Sequence, residues 1–452
     1  MSLSQVGVST AMKDILNFAM LMRQFQQVIS GIKDPRKASP NQQYALKDVL
    51  LSAFGVFFMQ CASFLEYQRQ VHSRNGKDNV QSLFGVTQIP TDNQIKNILD
   101  QIAALHLFGV FEGVYRTLQS RGVLRQYEVL DGQRLVALDG VEYFSSQSVH
   151  CACCSHRTHQ NGTVTYFHSA ILPVIVCPNQ SSVLSLPPEF ITPQDGHDKQ
   201  DCEPVAAKRW LQKHQSWFEP GTITLLGDDL YSRQPMCEWA CQRGYHYIFG
   251  CLPNSHRSLY EWLNFLDANG EIHQVQHRQR HGKDWHLYTY RWLNQIPLRD
   301  EQPALQVNWC ELTITRASDD HQIYHNAWIT DHFIDLANVA EITSSARARW
   351  KTENENHNVL KTKGYHLEHN FGHGKKQLAA LLLTLNLLAF LFHTVLQLLN
   401  PPYQQIRQRL GTRQRFFNDL RALTCYWVFE SWQHLIAFML EQSVPAKTMN
   451  SS

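Results

Sequence analysis

The chain contains 452 residues, of which 43% are hydrophobic and 18% are charged, a balance typical of a folded protein with a large buried core. Its length allows two or three domains, and its composition excludes a chain that is disordered throughout. The net charge of +2 excludes a uniformly basic surface, so any binding to nucleic acid must depend on local clusters of Lys and Arg.

The N-terminal residues and the cysteines indicate the compartment. Residues 1–12 are polar and lack the apolar segment of a signal peptide. The 11 cysteines are an odd number and are scattered along the chain, which is not the pattern of a secreted disulfide framework. We therefore expect a cytoplasmic protein whose thiols stay reduced.

Helical patterns dominate the first part of the chain. Residues 45–71 contain long apolar runs with few helix breakers. Thr91 or Asp92 can cap the helix predicted for residues 93–105, because a side-chain oxygen at this position accepts a hydrogen bond from the first turn. The sequence thus predicts an all-α N-terminal region over residues 1–125.

Residues 126–254 change to an alternation of strands and helices. Two short apolar runs, 135–138 and 222–226, are typical of buried strands, and acidic residues follow them at Asp139 and Asp228. Further strands are predicted at 164–167, 170–177 and 245–251, and helices at 204–214 and 235–243. This order predicts an α/β fold.

Residues 255–340 carry runs in which polar and apolar residues alternate, as they do in half-exposed antiparallel strands. These runs are 286–292, 307–315 and 324–330. A long helix that carries Glu353 is predicted next, over residues 342–361. We therefore expect a β-strand insertion, after which the α/β core resumes over residues 341–400.

Residues 378–399 carry no charge and are long enough to cross a bilayer as a helix. Polar residues interrupt this segment, and polar groups are costly in lipid. They are Thr384, Asn386, His393 and Gln397. We favour a buried helix at the centre of a large domain over a membrane span. Residues 401–452 then form a C-terminal helical tail.

Asp139 and Asp228 follow apolar strands, where a carboxylate is held rigidly and still faces a cleft. Carboxylates are the ligands that Mg²⁺ and Mn²⁺ prefer. Two such ions can stabilise the attacking and the leaving oxygen of a displacement at phosphorus. The alternative is that an Asp at a turn only shapes that turn.

The predicted helix carries a stripe of charged residues. Arg349, Glu353 and His357 recur every four residues and share one face, with Lys361 at its edge. This stripe suits a site in which Glu353 binds metal while the cations hold a DNA phosphate. Glu355 points about 200° away from Glu353 on an α-helix and cannot enter the same site. A solvated helix face with ion pairs is the alternative.

Short motifs in the chain resemble the three signatures of insertion-sequence DDE transposases, in the group with a β-rich insertion between the second Asp and the Glu. They are Leu138-Asp139-Gly140, Leu226-Gly227-Asp228 followed by Tyr231, and Arg349 with Glu353 followed by Lys361, Gly364 and Tyr365. The resemblance spans about residues 135–376, and residues 89–99 resemble the segment that precedes the catalytic domain in that group.

The resemblance implies an RNase H-like mixed sheet flanked by helices, with two-metal chemistry. Asp139, Asp228 and Glu353 would bind two Mg²⁺ or Mn²⁺ ions, cleave DNA at transposon ends and transfer the strand into target DNA. The chain departs from the family pattern in three places. Ala346 stands where the family has Tyr, Asp228 is followed by Asp-Leu-Tyr rather than Arg-Gly-aromatic, and the Glu-to-Lys spacing of eight positions is one longer than usual.

DNA is the partner that the resemblance implies. Arg349 and Lys361 would contact it near the cut, together with His357 on the same face. The helical region 1–125 is expected to recognise the transposon ends, with phosphate contacts from basic clusters. These clusters are residues 278–283, 347–351 and 407–415. Because transposition joins two ends, the resemblance also implies a homodimer, associated with the nucleoid in a prokaryotic cytoplasm.

Other functions remain open. A nuclease of the same fold would cleave without joining. A domesticated DNA-binding protein would use the helical region and the basic clusters without catalysis, although the intact acid trio argues against it.

Residues 150–159 contain the ligand types of a zinc site. The candidates are Cys151, Cys154, His156 and His159, and His168 follows them. The candidate set fits within ten residues and lacks the second, distant ligand pair of strong zinc motifs. Buried reduced thiols are therefore the favoured interpretation, with a zinc-dependent regulator as a further alternative.

Overall fold

The computed structural model describes residues 16–40, 42–71, 78–193 and 202–442, so the expectation for residues 1–12 lies outside the described ranges. Up to residue 127, the described part of the chain forms helices, turns and loops. The α-helices are α1 (Phe18–Ser30), α2 (Leu46–Phe58), α3 (Phe64–Val71), α4 (Asn79–Phe84), α5 (Asp92–Leu99) and α6 (Phe108–Ser120). The predicted cap is confirmed at Thr91, whose side chain accepts a hydrogen bond from the backbone of Gln94.

Strands and helices then alternate. The strands are β1 (Glu128–Val129), β2 (Gln133–Ala137), β3 (Gly140–Ser146), β4 (Ser155–Thr158), β5 (Val164–Ile171), β6 (Val174–Val176), β7 (Leu184–Ser185), β8 (Glu189–Ile191), β9 (Ile223–Gly227), β10 (His246–Gly250), β11 (His273–His281), β12 (Asp284–Pro297), β13 (Gln306–Arg316) and β14 (Gln322–Thr330). Helices α7 (Glu203–Lys213), α8 (Gln234–Cys241) and α9 (Arg257–Ala268) lie between them.

Two sheets are formed from these strands. The large sheet has the order β11-β12-β13-β14-β10-β9-β2-β6-β7, with β1 beside β2, and the smaller sheet has the order β3-β5-β4, with β8 beside β5. In the large sheet β9 is parallel to both β2 and β10, whereas β6 pairs with β2 in the antiparallel direction. The order of elements predicts an α/β fold, which is confirmed, and its large sheet is mixed.

The predicted antiparallel strands are confirmed at β12, β13 and β14, which overlap the three alternating runs. They extend the large sheet, because β14 pairs with β10. Strand β11 was not expected from the sequence. Its residues are almost all polar and exposed, with Val275 as the one apolar side chain, because β11 is an edge strand that pairs only with β12.

The segment that carries Glu353 is not one continuous α-helix, so this part of the prediction is wrong. Helix α10 (Val339–Arg347) ends before a turn, a π-helical segment follows at Thr352–His357, and α11 (Asn358–Thr362) completes the element. A π-helical turn is wider than an α-helical turn and accommodates an additional residue.

Helix α12 (Leu378–Leu399) forms the centre of the helical part of the molecule, and it packs against α2. Two of its polar side chains form hydrogen bonds to distant backbone groups: Asn386 donates to the carbonyl oxygen of Tyr365 at 2.8 Å, and His393 bonds to the carbonyl oxygen of Phe58 at 2.9 Å. Helices α13 (Pro401–Leu410), α14 (Arg413–Tyr426) and α15 (Trp432–Gln442) complete this region.

By length and composition, α12 is the single described helix that could cross a membrane. The segments Asp92–Leu99 and Ala104–Ser120 are long and apolar enough only if they are taken together as one span, and the chain bends by 98° between them. Most of α12 is buried inside the protein. Its hydrogen-bonded polar groups and this burial are what a central core helix requires.

We expect the buried His393 to make the protein sensitive to acid. Its ring stacks on Phe58, and burial lowers its pKa to about 3, whereas its ordinary pKa is 6.5. The unfolded chain therefore takes up a proton on this ring below pH 6.5 while the folded protein does not, so stability is lost as the pH falls. Between pH 6.5 and 4, His393→Gln should reduce the slope of the unfolding free energy by about 1.4 kcal/mol per pH unit.

Chemical denaturation at a series of pH values measures this slope. The variant is expected to be less stable than the wild type at pH 7, because the hydrogen bonds of the ring are removed. A slope equal to that of the wild type would contradict the assignment of the titrating group to His393.

Candidate active site

Asp139 and Asp228 lie at the same level on neighbouring parallel strands. The last residues that pair between β2 and β9 are Ala137 and Leu226. Asp139 lies two positions after Ala137, and Asp228 lies two positions after Leu226. Since side chains alternate along a strand, this shared offset directs both carboxylates to the same face, on strands about 4.8 Å apart. The two acids are distant in sequence but adjacent at the edge of the sheet.

Asp229 is directed elsewhere. Its carboxylate accepts a hydrogen bond from the backbone of Leu252 at 2.8 Å and lies 3.8 Å from Nε2 of His256. Asp228 instead accepts a hydrogen bond from the backbone of Leu230 at 2.9 Å. The alternation along the chain thus separates these neighbouring acids, and Asp228 is the one that shares a face with Asp139.

Arg349 lies between the first acid and the third. Its Nη2 donates a hydrogen bond to Oε1 of Glu353 at 2.7 Å, and its Nη1 lies 3.9 Å from Oδ2 of Asp139. The i,i+4 relation between Arg349 and Glu353 is kept even though the helix is interrupted. The structure therefore brings the Glu353 segment up to the end of β2.

The carboxylates repel each other electrostatically. Burial is the main cause that raises the pKa of Asp139 to about 7, Arg349 opposes this rise, and the charges of Glu203, Glu353 and Asp228 add to it. A group of acids that resists ionisation in this way binds a divalent cation favourably, because the cation offsets both the burial and the repulsion.

Glu203, which the sequence-based prediction missed, is a fourth acid of this group. It opens α7 and lies so close to Gly140 that a Cβ at position 140 would overlap its carboxylate. Burial raises the pKa of Glu203, and the charge of Asp228 adds to the rise. The only signal in the sequence is an acidic residue at a helix start, which is common because it complements the helix dipole.

Tyr231 lies on the inner side of the acids. It is fully buried, and burial raises its pKa well above its ordinary value, with further contributions from Glu203, Asp139 and Asp228. The phenol therefore stays neutral at pH 7 and presents an O–H group to the acids. The sequence pointed to this residue only through its match to the second motif.

His357 also faces Asp139, with its Nδ1 3.6 Å from Oδ2 of that residue. Its side chain is 10% exposed, and burial lowers its pKa to about 4, with the charges of Lys361 and Arg349 contributing. His357 is thus a neutral, buried neighbour of the acids, and the DNA contact expected of it stays a prediction. Lys361 is more exposed and pairs with Glu368 at 2.8 Å.

The donor type found here is one that a hard divalent cation prefers, and the binding of Mg²⁺ or Mn²⁺ stays a prediction. The donors are carboxylate oxygens, the ligand type of Mg²⁺ and Mn²⁺, and they come from two strand ends and one helix. The motifs indicate three of these acids, Asp139, Asp228 and Glu353. Glu203 is a further acid, and its pKa is raised by burial and also by the charge of Asp228. The DNA contacts expected of Arg349 and Lys361 stay predictions.

The cysteines and histidines of residues 150–159 separate in the structure. His156 is exposed on β4, and Nε2 of His159 forms a hydrogen bond with Oγ1 of Thr165 at 2.8 Å. Cys151 and Cys154 instead face two histidines from more distant parts of the chain. These are His168 and His373.

No known family model matches the chain, and no curated protein matches it at a significant level.

Proposed function

We propose that the chain is a DDE-type DNA transposase, which cleaves DNA at transposon ends and joins those ends to target DNA. Asp139, Asp228 and Glu353 would hold the divalent metal. One observation carries the proposal: the charges of Asp228 and Glu353, which come from two other segments that match transposase motifs, act on Asp139, and Arg349 lies between Glu353 and Asp139. The two alternative interpretations, aspartates that only shape turns and a solvated helix face, give no reason for these acids to act on one another.

An RNase H-like core is the finer fold that we propose for the mixed sheet. Parallel strands β2 and β9, which precede the first two acids, support it. Further support comes from the strands β11–β14, which lie in the sequence between Asp228 and Glu353. The transposase group that the motifs resemble has a β-rich insertion at this place.

The π-helical segment gives a physical reason for the unusual spacing between Glu353 and Lys361. The two residues are eight positions apart, one more than is usual in the family, and the segment Thr352–His357 overlaps this interval. A π-helical turn accommodates the additional residue, so the residues that follow keep their direction. The charge of Lys361 still acts on His357, in keeping with a position on the same side.

Bound metal would neutralise charge and polarise the phosphodiester oxygens. The guanidinium of Arg349, with a side chain 24% exposed, holds Glu353 and offsets part of the negative charge of the acids. The neutral, buried ring of His357 lies 3.6 Å from the carboxylate of Asp139. Glu203 and Tyr231 lie beside Asp228 and Asp139 and line the inner side of the site.

DNA is the proposed partner, and a homodimer would hold two transposon ends together near the nucleoid. The hairpin of β11 and β12 offers a basic surface for this purpose. Arg278, Arg280 and Lys283 are exposed there, and the guanidinium of Arg278 lies 5.8 Å from the ring centre of the exposed Trp285. Exposed arginines beside an aromatic ring suit contacts with a nucleic-acid backbone and its bases.

We expect the triple variant Arg278→Ala, Arg280→Ala, Lys283→Ala to bind DNA more weakly while its thermal stability stays unchanged. The slope of log K against log salt should become shallower by about 0.9 for each phosphate group that the variant no longer neutralises. A fluorescence anisotropy titration at several salt concentrations measures this slope. Arg316→Ala is the control, because that arginine is already paired with Asp319 at 3.0 Å.

The proposal as a whole is tested with labelled DNA that carries the element's own ends, incubated with the protein and Mg²⁺ or Mn²⁺. Metal-dependent cleavage followed by joined products is the expected result. Cleavage without joining would favour a nuclease. Binding of DNA without metal-dependent cleavage would overturn the enzyme and favour a non-catalytic DNA-binding protein.

A further inference from the structure

We propose that Cys151, Cys154, His168 and His373 bind one structural zinc ion. The four ligand atoms, two Sγ and two Nε2, all lie within 4.8 Å of one another. Three of the four side chains are buried, and Cys151 is half-buried. This site is separate from the acids that the proposed function uses, and it does not depend on that function.

The separations between the ligand atoms match a tetrahedral zinc site. Sγ of Cys151 and Sγ of Cys154 are 3.8 Å apart, and Nε2 of His168 and Nε2 of His373 are 3.1 Å apart. Three of the four sulfur–nitrogen distances are 3.3, 3.4 and 3.6 Å, and the fourth, between Cys151 and His373, is within 4.8 Å. Zinc bond lengths in a tetrahedron give edges of about 3.8 Å for S–S, about 3.6 Å for S–N and about 3.4 Å for N–N.

The ligands are also held in the orientation that zinc needs. The backbone N–H of Cys154 donates to the carbonyl oxygen of Cys151 at 3.1 Å, which closes the Cys-x-x-Cys turn. The ring of His373 bonds through Nδ1 to the carbonyl oxygen of Gly374 at 2.8 Å. That bond fixes the proton on Nδ1 and leaves Nε2 free to ligate, as second-shell carbonyl groups do in zinc sites.

A disulfide and a plain thiol core explain the cluster less well. A disulfide needs a sulfur–sulfur distance of about 2.0 Å, well below the distance between Cys151 and Cys154. Ordinary buried thiols pack against apolar groups, whereas here two imidazole nitrogens turn toward the sulfur of Cys154. Four protein ligands leave no open position, so the ion would be structural rather than catalytic.

Zinc at this place would join distant parts of the chain. Cys151 and Cys154 lie between β3 and β4, His168 lies on β5, and His373 lies between α11 and α12. The ion would therefore tie the small sheet to the segment that leads from Glu353 into α12. The unfolded chain has no preformed site, so the ion would bind the folded state and stabilise it. The ion would also close a long loop of the chain.

The first test is the metal content of the full-length protein purified from zinc-replete cells without chelators. We expect about one zinc ion per chain by mass spectrometry of the metal. Replacement by Co²⁺ should give the visible absorption of tetrahedral cobalt together with a thiolate-to-cobalt charge-transfer band. Zinc content near zero, combined with no such spectrum after Co²⁺ is added to the reduced protein, would overturn the proposal.

Matched variants locate the site. Cys154→Ser and His373→Gln should each lower the zinc content at least about tenfold after dialysis. The controls are Cys153→Ser, an exposed cysteine in the same turn, and His159→Gln, an exposed histidine of the same segment, and both should keep the metal. Loss of zinc from the controls but not from Cys154→Ser would overturn the ligand set. If a ligand variant does not fold, the Co²⁺ spectrum of the wild type decides.

Discussion

Asp139→Asn, Asp228→Asn and Glu353→Gln are each expected to lower the rate of DNA cleavage by on the order of 10³-fold or more. Each change removes a negative charge from the proposed ligands of the metal on which the proposed displacement at phosphorus depends. Single-turnover assays with labelled end DNA and saturating Mg²⁺ measure the rate. DNA binding should not weaken, because the acids repel the phosphate backbone rather than attract it.

The folded state of these variants should be intact. Burial and neighbouring acids already oppose the charge on Asp139, so Asp139→Asn should melt at the wild-type temperature or above it in the absence of metal. Added Mg²⁺ or Mn²⁺ should raise the melting temperature of the wild type but not that of this variant, because only the wild type binds the ion in its folded state.

Asp229→Asn is the matched control for Asp228→Asn. The two residues are adjacent in sequence, but Asp229 bonds to the backbone of Leu252, and an amide oxygen can still accept that bond. The control should therefore cleave DNA at close to the wild-type rate. If Asp229→Asn abolished cleavage while Asp228→Asn did not, the assignment of the second acid would be wrong.

The sequence was sufficient where the signal is local. Apolar strands that precede Asp139 and Asp228 could be recognised from four or five residues each, and the register of β2 and β9 then places the acids side by side. The long apolar run of α12 likewise predicted a central helix. Its polar residues are too few for a surface helix and too many for a helix that crosses a lipid bilayer.

The sequence was insufficient where the partner is distant or the pattern is weak. Glu203 lies near the other acids because α7 begins beside Gly140. The residues around position 203 in the sequence do not predict that contact. His373 lies more than two hundred residues from Cys154 along the chain, so spacing rules for zinc motifs could not find it. Strand β11 lacks apolar alternation, and the π-helical turn has no periodicity that distinguishes it from an α-helix.

The two proposed metal sites flank one stretch of chain. Glu353 lies at its beginning, in the π-helical segment, and His373 lies near its end. The same stretch is also fixed from the N-terminal helices, because the carboxylate of Asp100 accepts hydrogen bonds from the backbone N–H groups of Lys375 and Leu378. An element that must hold one acid against two others benefits from anchors at both ends.

Arg349→Ala is expected to lower the cleavage rate by about 10²–10³-fold, as removal of a charged group from a phosphoryl-transfer site does. Without this guanidinium, Glu353 loses its 2.7 Å hydrogen bond and the repulsion between Glu353 and Asp139 is no longer offset. Arg349→Lys should recover only part of the rate, because a single ammonium group cannot span both acids.

The concentration of Mg²⁺ needed for half-maximal cleavage separates a role in the site from a merely structural one. Removal of the positive charge of Arg349 should leave metal affinity unchanged or higher, so the rate falls while this concentration does not rise. Arg116→Ala is the control, since Arg116 also forms an i,i+4 pair with a glutamate, Glu112, on a helix. Its rate should match the wild type. Equal decreases of rate and of melting temperature in Arg349→Ala would instead indicate that Arg349 only supports the fold.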